Sequence, residues 1–373
     1  MNKRRWESPK IRYAVVGLGY IAQSAVLPAF ENARDNSELV ALVSDNPEKL
    51  KILGRKYKVA HQCSYNQYDD LLRSGAVDAV YIALPNHLHS EYTLRAASAG
   101  VHVLCEKPLA VTEEECQEMI DAAAAHKIKL MTAYRLHFDE ANLRAVKVVQ
   151  SGKLGRLRIF NSVFAMQVKQ GDIRLREEMG EGTLYDLGVY CINAARYLFR
   201  AEPVEVSAST VRNTDPRFRE VDEMTSAVLR FPDGELASFT VSFGAAENSW
   251  YQVVGTKGNL YLRNAYEYAK KREQCVEFNG KMDTQMYKIR DQFAPELLYF
   301  SDCIINNKKP ETSGEEGLID VKTVRALYRS AEAGHAVSLN GLSKGRRPSL
   351  RQKITRPKVR EPELVYASAP SED

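Results

Sequence analysis

Between residues 11 and 133 the chain alternates short, almost wholly apolar runs with longer amphipathic stretches. The apolar runs fall at 11–16, 39–44, 78–84, 101–105 and 128–132, and segments such as 47–58 and 113–126 separate them. A strand that is apolar at nearly every position is buried on both faces. This texture therefore predicts an α/β domain, a parallel sheet with helical crossovers on either side. From about residue 155 the pattern changes to β-branched and aromatic segments at 156–168, 203–213, 222–231, 234–243 and 249–263. Phe231-Pro232-Asp233-Gly234-Glu235 and Gly255-Thr256-Lys257-Gly258-Asn259 read as hairpin turns between them. Helices are expected at 182–199 and 315–334, so the second part reads as an α+β domain on a predominantly antiparallel sheet. At 373 residues the chain suits two domains rather than one core, divided here as 1–133 and 134–340 with a tail at 341–373.

The first run leads into Gly17-Leu18-Gly19-Tyr20-Ile21-Ala22, small residues spaced for a turn whose amides and helix start face a pyrophosphate. In this strand-to-helix context the string predicts dinucleotide binding, with Gly17, Gly19, Tyr20, Ile21 and Ala22 against the cofactor. Where NAD enzymes place an acid after the second strand, this chain reads Ser44-Asp45-Asn46-Pro47-Glu48-Lys49. Ser44 and Lys49 suit the 2′-phosphate of NADP, whereas Asp45 would repel it; NADP(H) is favoured over NAD(H). Tyr65 and Tyr68 suit a cover over the cofactor or a place in the core. Leu84, Pro85, Asn86 and His89 are expected to border the cofactor cleft or cap the next helix at Ser90-Glu91. His87 and His89 lack the neighbouring Cys or further His of a metal site, so no metal is expected.

The run 101–105 ends in Glu106-Lys107-Pro108 and is followed by Thr112-Glu113-Glu114-Glu115, a capped acidic helix start. Lys107 thus stands at the carboxyl end of a parallel strand, the edge where open α/β sheets hold ligands, with Pro108 fixing the backbone beside it. Asp186 and Tyr190 stand four apart in the expected helix 182–199 and share a face. A tyrosine hydroxyl ordinarily titrates near about 10, and a neighbouring ammonium such as Lys107 stabilises its anion. Such a tyrosine accepts a hydroxyl proton while hydride leaves the same carbon for nicotinamide. Asp186 would orient the substrate or pair with the lysine. Taken alone, the pair also fits an ordinary amphipathic helix; the lysine and the nucleotide loop favour chemistry.

These strings together resemble those of the Gfo/Idh/MocA oxidoreductases, most closely glucose–fructose oxidoreductases and related aldose oxidoreductases. The resemblance is carried by residues 14–19, 79–89, 99–110, 134–139, 186–190 and 314–321, and runs from about 10 to 340. It implies a Rossmann domain followed by an open, predominantly antiparallel sheet used in subunit association, hence a homo-oligomer, dimer or tetramer. It also implies that Lys107, Asp186 and Tyr190 surround the reacting carbon of a sugar, with Tyr190 as acid/base. Glu106, Arg135 and His137 would lie near the nicotinamide and Arg176 near the sugar, and the Lys107–Pro108 bond would be cis. The expected activity is NADP(H)-dependent hydride transfer at C1 of an aldose, and, if the cofactor stays bound, reduction of a second sugar in an aldose–aldose or glucose–fructose type of cycle. Related glycosidases that use bound NAD carry Tyr-Pro-Thr-His near the catalytic helix, where this chain has Asp186-Leu187-Gly188-Val189-Tyr190. A regulatory protein that binds NADP without chemistry would not need Lys107, Asp186 and Tyr190 together. Three departures stand out. Gly180-Glu181-Gly182 replaces the usual three glycines and puts Glu181 at the substrate mouth. The long N-terminal arm of the glucose–fructose enzyme is missing, and the basic C-terminal extension has no counterpart.

Composition adds limits. The chain is 44% apolar and 27% charged, with no apolar run near the roughly 18 residues of a membrane helix. No apolar stretch follows the basic opening Lys3-Arg4-Arg5, so no signal peptide is expected. Six scattered cysteines without a C-x-x-C pair suit a reducing compartment, and the expected address is the cytoplasm. The net charge of +4 sits entirely in 341–373, which holds eight Lys/Arg against four Asp/Glu. With almost no aromatics between its cations, that segment is expected to be a solvated tail or an arm against a neighbouring subunit, not a nucleic-acid site.

Overall fold

A computed structural model describes residues 9–180, 182–212, 215–342 and 345–371. The apolar runs of the first half form parallel strands β1 (Ile11–Val16), β2 (Ser37–Val43), β3 (His61–Cys63), β4 (Ala79–Ile82), β5 (His102–Cys105) and β6 (Leu130–Thr132). Their order is β3-β2-β1-β4-β5-β6. β3 has no counterpart among the expected strands. It is a three-residue edge strand with His61 and Gln62 exposed, so it carries no apolar signature. Helices α1 (Leu27–Asn32), α2 (Pro47–Tyr57), α3 (Tyr68–Arg73), α4 (His89–Ser98) and α5 (Glu113–Ala125) connect the strands. The start of α5 is the capping box that its sequence calls for: Thr112 Oγ1 accepts from Glu115 N at 3.1 Å and Glu115 Oε2 from Thr112 N at 3.0 Å. Strand order reverses between β1 and β4, which opens a crevice beyond their carboxyl ends.

The second sheet contains β7 (Leu157–Ala165), β8 (Glu205–Val211), β9 (Met224–Arg230), β10 (Leu236–Ser242), β11 (Asn248–Gly255), β12 (Gly258–Arg263), β13 (Arg272–Phe278), β14 (Lys281–Tyr287) and β15 (Val337–Ser338). Its order is β14-β13-β12-β11-β7-β10-β9-β8-β15, antiparallel throughout except for the pair β7–β10. Both expected hairpin turns are present, joining β9 to β10 and β11 to β12. The β13–β14 hairpin was not expected, because β14 is exposed at every position but Tyr287 and shows no apolar face. Helices α6 (Glu140–Gln150), α7 (Val189–Phe199) and α9 (Gly314–Ala333) cover one face of this sheet. There Phe160, Tyr251 and Leu260 share a core with Ile192 and Leu327. The opposite face leaves Ile159, Val228 and Leu236 exposed.

Two tertiary features change the expected division of the chain. Helix α8 (Ala294–Ile305) falls within 134–340 yet packs on the first sheet, with Leu297 and Phe300 in one cluster with Val15 and Leu42. Tyr13 Oη and Ser301 Oγ lie 2.8 Å apart in the same layer. The tail, expected to be solvated or an arm against a neighbouring subunit, is anchored on its own chain by part of its side chains while many of its positions stay exposed. Arg347, its side chain only 3% exposed, pairs with Glu202 and, at 3.1 Å, with Glu316, while Lys353 pairs with Glu140 at 2.6 Å. Lys344 lies outside the described residues. Among the described residues no helix is long and apolar enough to cross a membrane.

Candidate active site

The turn after β1 brings the backbone into the crevice. Gly17 has φ +92°, and a Cβ there would lie 2.5 Å from the Ala83 carbonyl oxygen, so only glycine closes β1 against the end of β4. At Gly19 a Cβ would meet no protein atom within 4 Å, which leaves a bare backbone facing open space. Both border a cleft of about 530 Å³ between the two sheets. Tyr20 and Ile21 border it as well, whereas Ala22 is wholly buried beneath the turn. Ser44, Lys49 and Tyr65 lie along the same cleft, as do Leu84, Pro85 and Asn86 on the facing strand end.

This edge fits a dinucleotide: an uncovered glycine turn at a helix start for the pyrophosphate, and a hydroxyl and an ammonium beyond β2. Asp45 does not join them. Its Oδ1 accepts from the Tyr65 amide at 2.9 Å, which ties the carboxylate to its own chain. Burial pulls the Lys49 ammonium below its ordinary value and pushes the Tyr65 phenol up to about 12. His89 departs from its expected place. It is fully buried, with Nδ1 2.8 Å from Pro108 O and Nε2 2.9 Å from Leu84 O. The ring thus ties together the backbones of two loops that shape the cleft.

At the centre, the strand-end lysine meets the second-domain helix. The expected helix 182–199 begins instead as a π-helical turn, Leu184–Gly188, and continues as α7. Gly182 leads into it at φ +139°, where a Cβ would stand 2.5 Å from Tyr328 Oη. Asp186 lies on the π turn. Its Oδ1 accepts from Lys107 Nζ at 2.7 Å, and Lys107 also donates to the Asp186 carbonyl at 3.0 Å. Lys107 Nζ lies 5.0 Å from the centroid of the Tyr190 ring, and the Arg135 guanidinium carbon lies at the same distance. Arg135 Nη2 donates to Tyr190 Oη at 3.2 Å, while Phe164 packs edge-on against the same ring, centroids 5.6 Å apart. The Lys107–Pro108 peptide is cis.

Charge assigns the roles. Burial acts to lower the Lys107 ammonium, but Asp186 and Tyr190 outweigh it and hold the group at about 12. Burial acts to raise the Asp186 carboxyl, but Lys107 and Arg174 keep it well below the usual range. Burial raises the Glu106 carboxyl against the pull of Lys107 and Tyr81; Tyr81 Oη donates to its Oε1 at 2.7 Å. Lys107 and Asp186 are therefore locked as charges near neutral pH.

Two expected residues lie elsewhere. Arg176 is half exposed, its nearest acid being Glu178 at 3.9 Å. Arg174, on the 3₁₀ turn Ile173–Leu175, instead reaches into the cleft and donates from Nε to Asp186 Oδ2 at 2.7 Å. Nothing in Ile173-Arg174-Leu175-Arg176 distinguishes the two arginines before folding. His137 sits behind the cleft, between Glu311 at 2.9 Å and Asn193 at 2.7 Å. Burial pulls this imidazole down, but Glu311 and Asn193 hold it above its ordinary value. Tyr266, Glu267, Tyr268 and Lys270 also border the cleft without having been expected there, and Glu181 lies outside the described residues.

A glycine turn at the switch point of a parallel sheet, with an ion-paired lysine and a tyrosine across the cleft, defines a dinucleotide-dependent oxidoreductase fold. The chain belongs to the Gfo/Idh/MocA family. Residues 11–134 match the oxidoreductase family's NAD-binding Rossmann fold, and residues 142–261 match the GFO/IDH/MocA C-terminal domain. The chain is similar to the aldose–aldose oxidoreductase of Caulobacter crescentus, solved with glycerol, at 36% identity and a TM-score of 0.85, over 88% of this chain and all of that one. It is similar to the NADP(+) D-xylose 1-dehydrogenase of Haloarcula marismortui, 30% identical over 91% of this chain and 97% of the relative. KijD10, a 3-ketoreductase of Actinomadura kijaniata solved with NADP and TDP-benzene, is 27% identical with a TM-score of 0.79, over 86% and 98%.

Proposed function

We propose that the chain is an NADP(H)-dependent sugar oxidoreductase that transfers hydride between C1 of a cyclic aldose and nicotinamide, giving a lactone in the oxidative direction. The observation that carries this reading is the convergence of Lys107, Asp186 and Tyr190 at one end of the cleft that the glycine turn borders. The named activities of the relatives support the sugar class, and Ser44 and Lys49 beside the turn support NADP. The cofactor, when bound, supplies the hydride acceptor.

The chain's own residues supply the rest. Asp186 is fixed between Lys107 and Arg174, which leaves the lysine ammonium as a permanent hydrogen-bond donor toward a sugar hydroxyl. With Lys107 and Asp186 locked, Tyr190 is the group of the three left to take the C1 hydroxyl proton. The phenolate that accepts this proton has its charge met beforehand by Arg135 at 3.2 Å and by the nearby Lys107 ammonium, and it becomes a neutral phenol once the proton is taken. A panel of aldoses, polyols and anhydro-sugars incubated with NADP⁺ or NAD⁺ tests the activity through nicotinamide absorbance. Reduction by at least one aldose is expected; failure of the whole panel would remove the enzymatic reading. A homo-oligomer formed through the open face of the second sheet belongs to the same proposal. Sedimentation of a single monomeric species at micromolar concentration would refute it.

A further inference from the structure

The C-terminal segment 345–371 crosses the molecule twice. Arg347 is buried in a cluster of charges on the second domain, with Glu202, Glu316 and the wholly buried Arg196, which itself pairs with Glu202, Glu316 and Asp320. Lys353 then pairs with Glu140 at the start of α6, and Gln352 Nε2 donates to Glu311 at 3.0 Å. The chain next passes onto the first domain. Arg356 pairs with Asp35, and Asn32 Nδ2 donates to Pro357 O at 2.9 Å. At Val365 the backbone is clamped on both sides by one side chain. Its N–H donates to Gln23 Oε1 at 2.7 Å, and its carbonyl accepts from Gln23 Nε2 at 2.9 Å. The same Nε2 donates to Leu18 O at 2.8 Å, inside the glycine turn. Five residues later the chain is back on the second domain, where Lys169 N donates to Pro370 O at 2.8 Å and Ser371 pairs with Val168. Five residues span at most roughly 17 Å, so this stretch runs almost directly from one domain to the other. Ala369, Pro370 and Ser371 border the same cleft as the glycine turn and Tyr190.

We propose that this segment is a strap that closes the cleft over a bound dinucleotide and slows its release. The anchors at Arg347, Lys353 and Arg356 hold the strap in place, and its last residues, tied at Gln23 and Lys169, form the wall that a departing nucleotide must displace. Release then requires breaking the backbone hydrogen bonds at both ends of a short span, as well as the nucleotide's own contacts. The proposal rests on the cleft being a nicotinamide-nucleotide site, as set out above.

The test measures NADPH and NADH release by fluorescence, using dilution and chase with unlabelled nucleotide. Three proteins are compared: the full chain, a chain ending at Leu364, and the variant Val168→Cys/Ser371→Cys. The shortened chain keeps Arg347, Lys353 and Arg356 and is expected to release nucleotide at least tenfold faster. Oxidised Val168→Cys/Ser371→Cys is expected to release it several-fold more slowly than the full chain, and reduction with dithiothreitol restores the original rate. Release within twofold of the full chain from a folded shortened form overturns the strap. Should that form not fold, the cysteine pair decides, and release unaffected by oxidation overturns the strap. A full chain that binds neither nucleotide refutes the assignment of the cleft itself, and the strap with it.

Discussion

Lys107 and Asp186 form an ion pair across the domain cleft, Nζ to Oδ1 at 2.7 Å, with each side chain 12% exposed. Arg174 takes the second carboxylate oxygen at 2.7 Å, so one anion serves two cations. This asymmetry decides what each removal costs.

Asp186→Ala leaves Lys107 and Arg174 facing each other with no anion between them and should destabilise by about 3–5 kcal/mol. Lys107→Met leaves the carboxylate with Arg174 and should cost about 1–3 kcal/mol. Urea unfolding of the two variants checks the order. A larger loss for Lys107→Met would mean that Arg174 does not hold the carboxylate in solution.

The same pair predicts the pH dependence of stability. Asp186 is held low when folded, so its contribution is present above the unfolded carboxyl value of about 3.9 and is lost as pH falls below it. Lys107 is held at about 12 when folded, so its contribution is complete below the unfolded value of about 10.4 and is lost as pH rises past both. The difference in unfolding free energy between wild type and Asp186→Asn should be flat across neutral pH and shrink under acid. A difference that grows under acid would contradict the ion pair.

Tyr190→Phe removes the hydroxyl that Arg135 contacts but keeps the ring packed on Phe164. Turnover with any active aldose should fall at least about 100-fold while NADPH affinity changes little. Unchanged turnover would take the tyrosine out of the mechanism.

Lys49→Ala should weaken NADPH binding by about tenfold or more and NADH binding far less, since one charge-assisted contact is worth about 1.5–3 kcal/mol. Fluorescence titration with both nucleotides measures the ratio. Equal losses would place the 2′-phosphate away from Lys49.

Much of the fold was legible because the central strands are buried on both faces, and such strands announce themselves as almost wholly apolar runs at 11–16, 78–84 and 101–105. The glycine turn was legible for a related reason: Gly17 meets a local steric demand that no other residue satisfies. Strands β3 and β14 were not, since most of their positions face solvent and carry no periodic signal.

The sequence by itself determined two sheets and a nucleotide turn, which follow from burial pattern and turn chemistry within short segments, and it singled out Lys107, Asp186 and Tyr190 as candidates through strand-end position, helical spacing and the family resemblance. Only the tertiary structure decided which arginine meets Asp186, because the 3₁₀ turn at Ile173–Leu175 sets the direction of Arg174 and leaves Arg176 at the surface. It likewise decided that α8 packs on the first sheet and that the last described residues of the tail, Ala369, Pro370 and Ser371, border the cleft. Those outcomes depend on partners hundreds of residues away, such as Gln23 for Val365, and local pattern holds no record of a contact made at that distance.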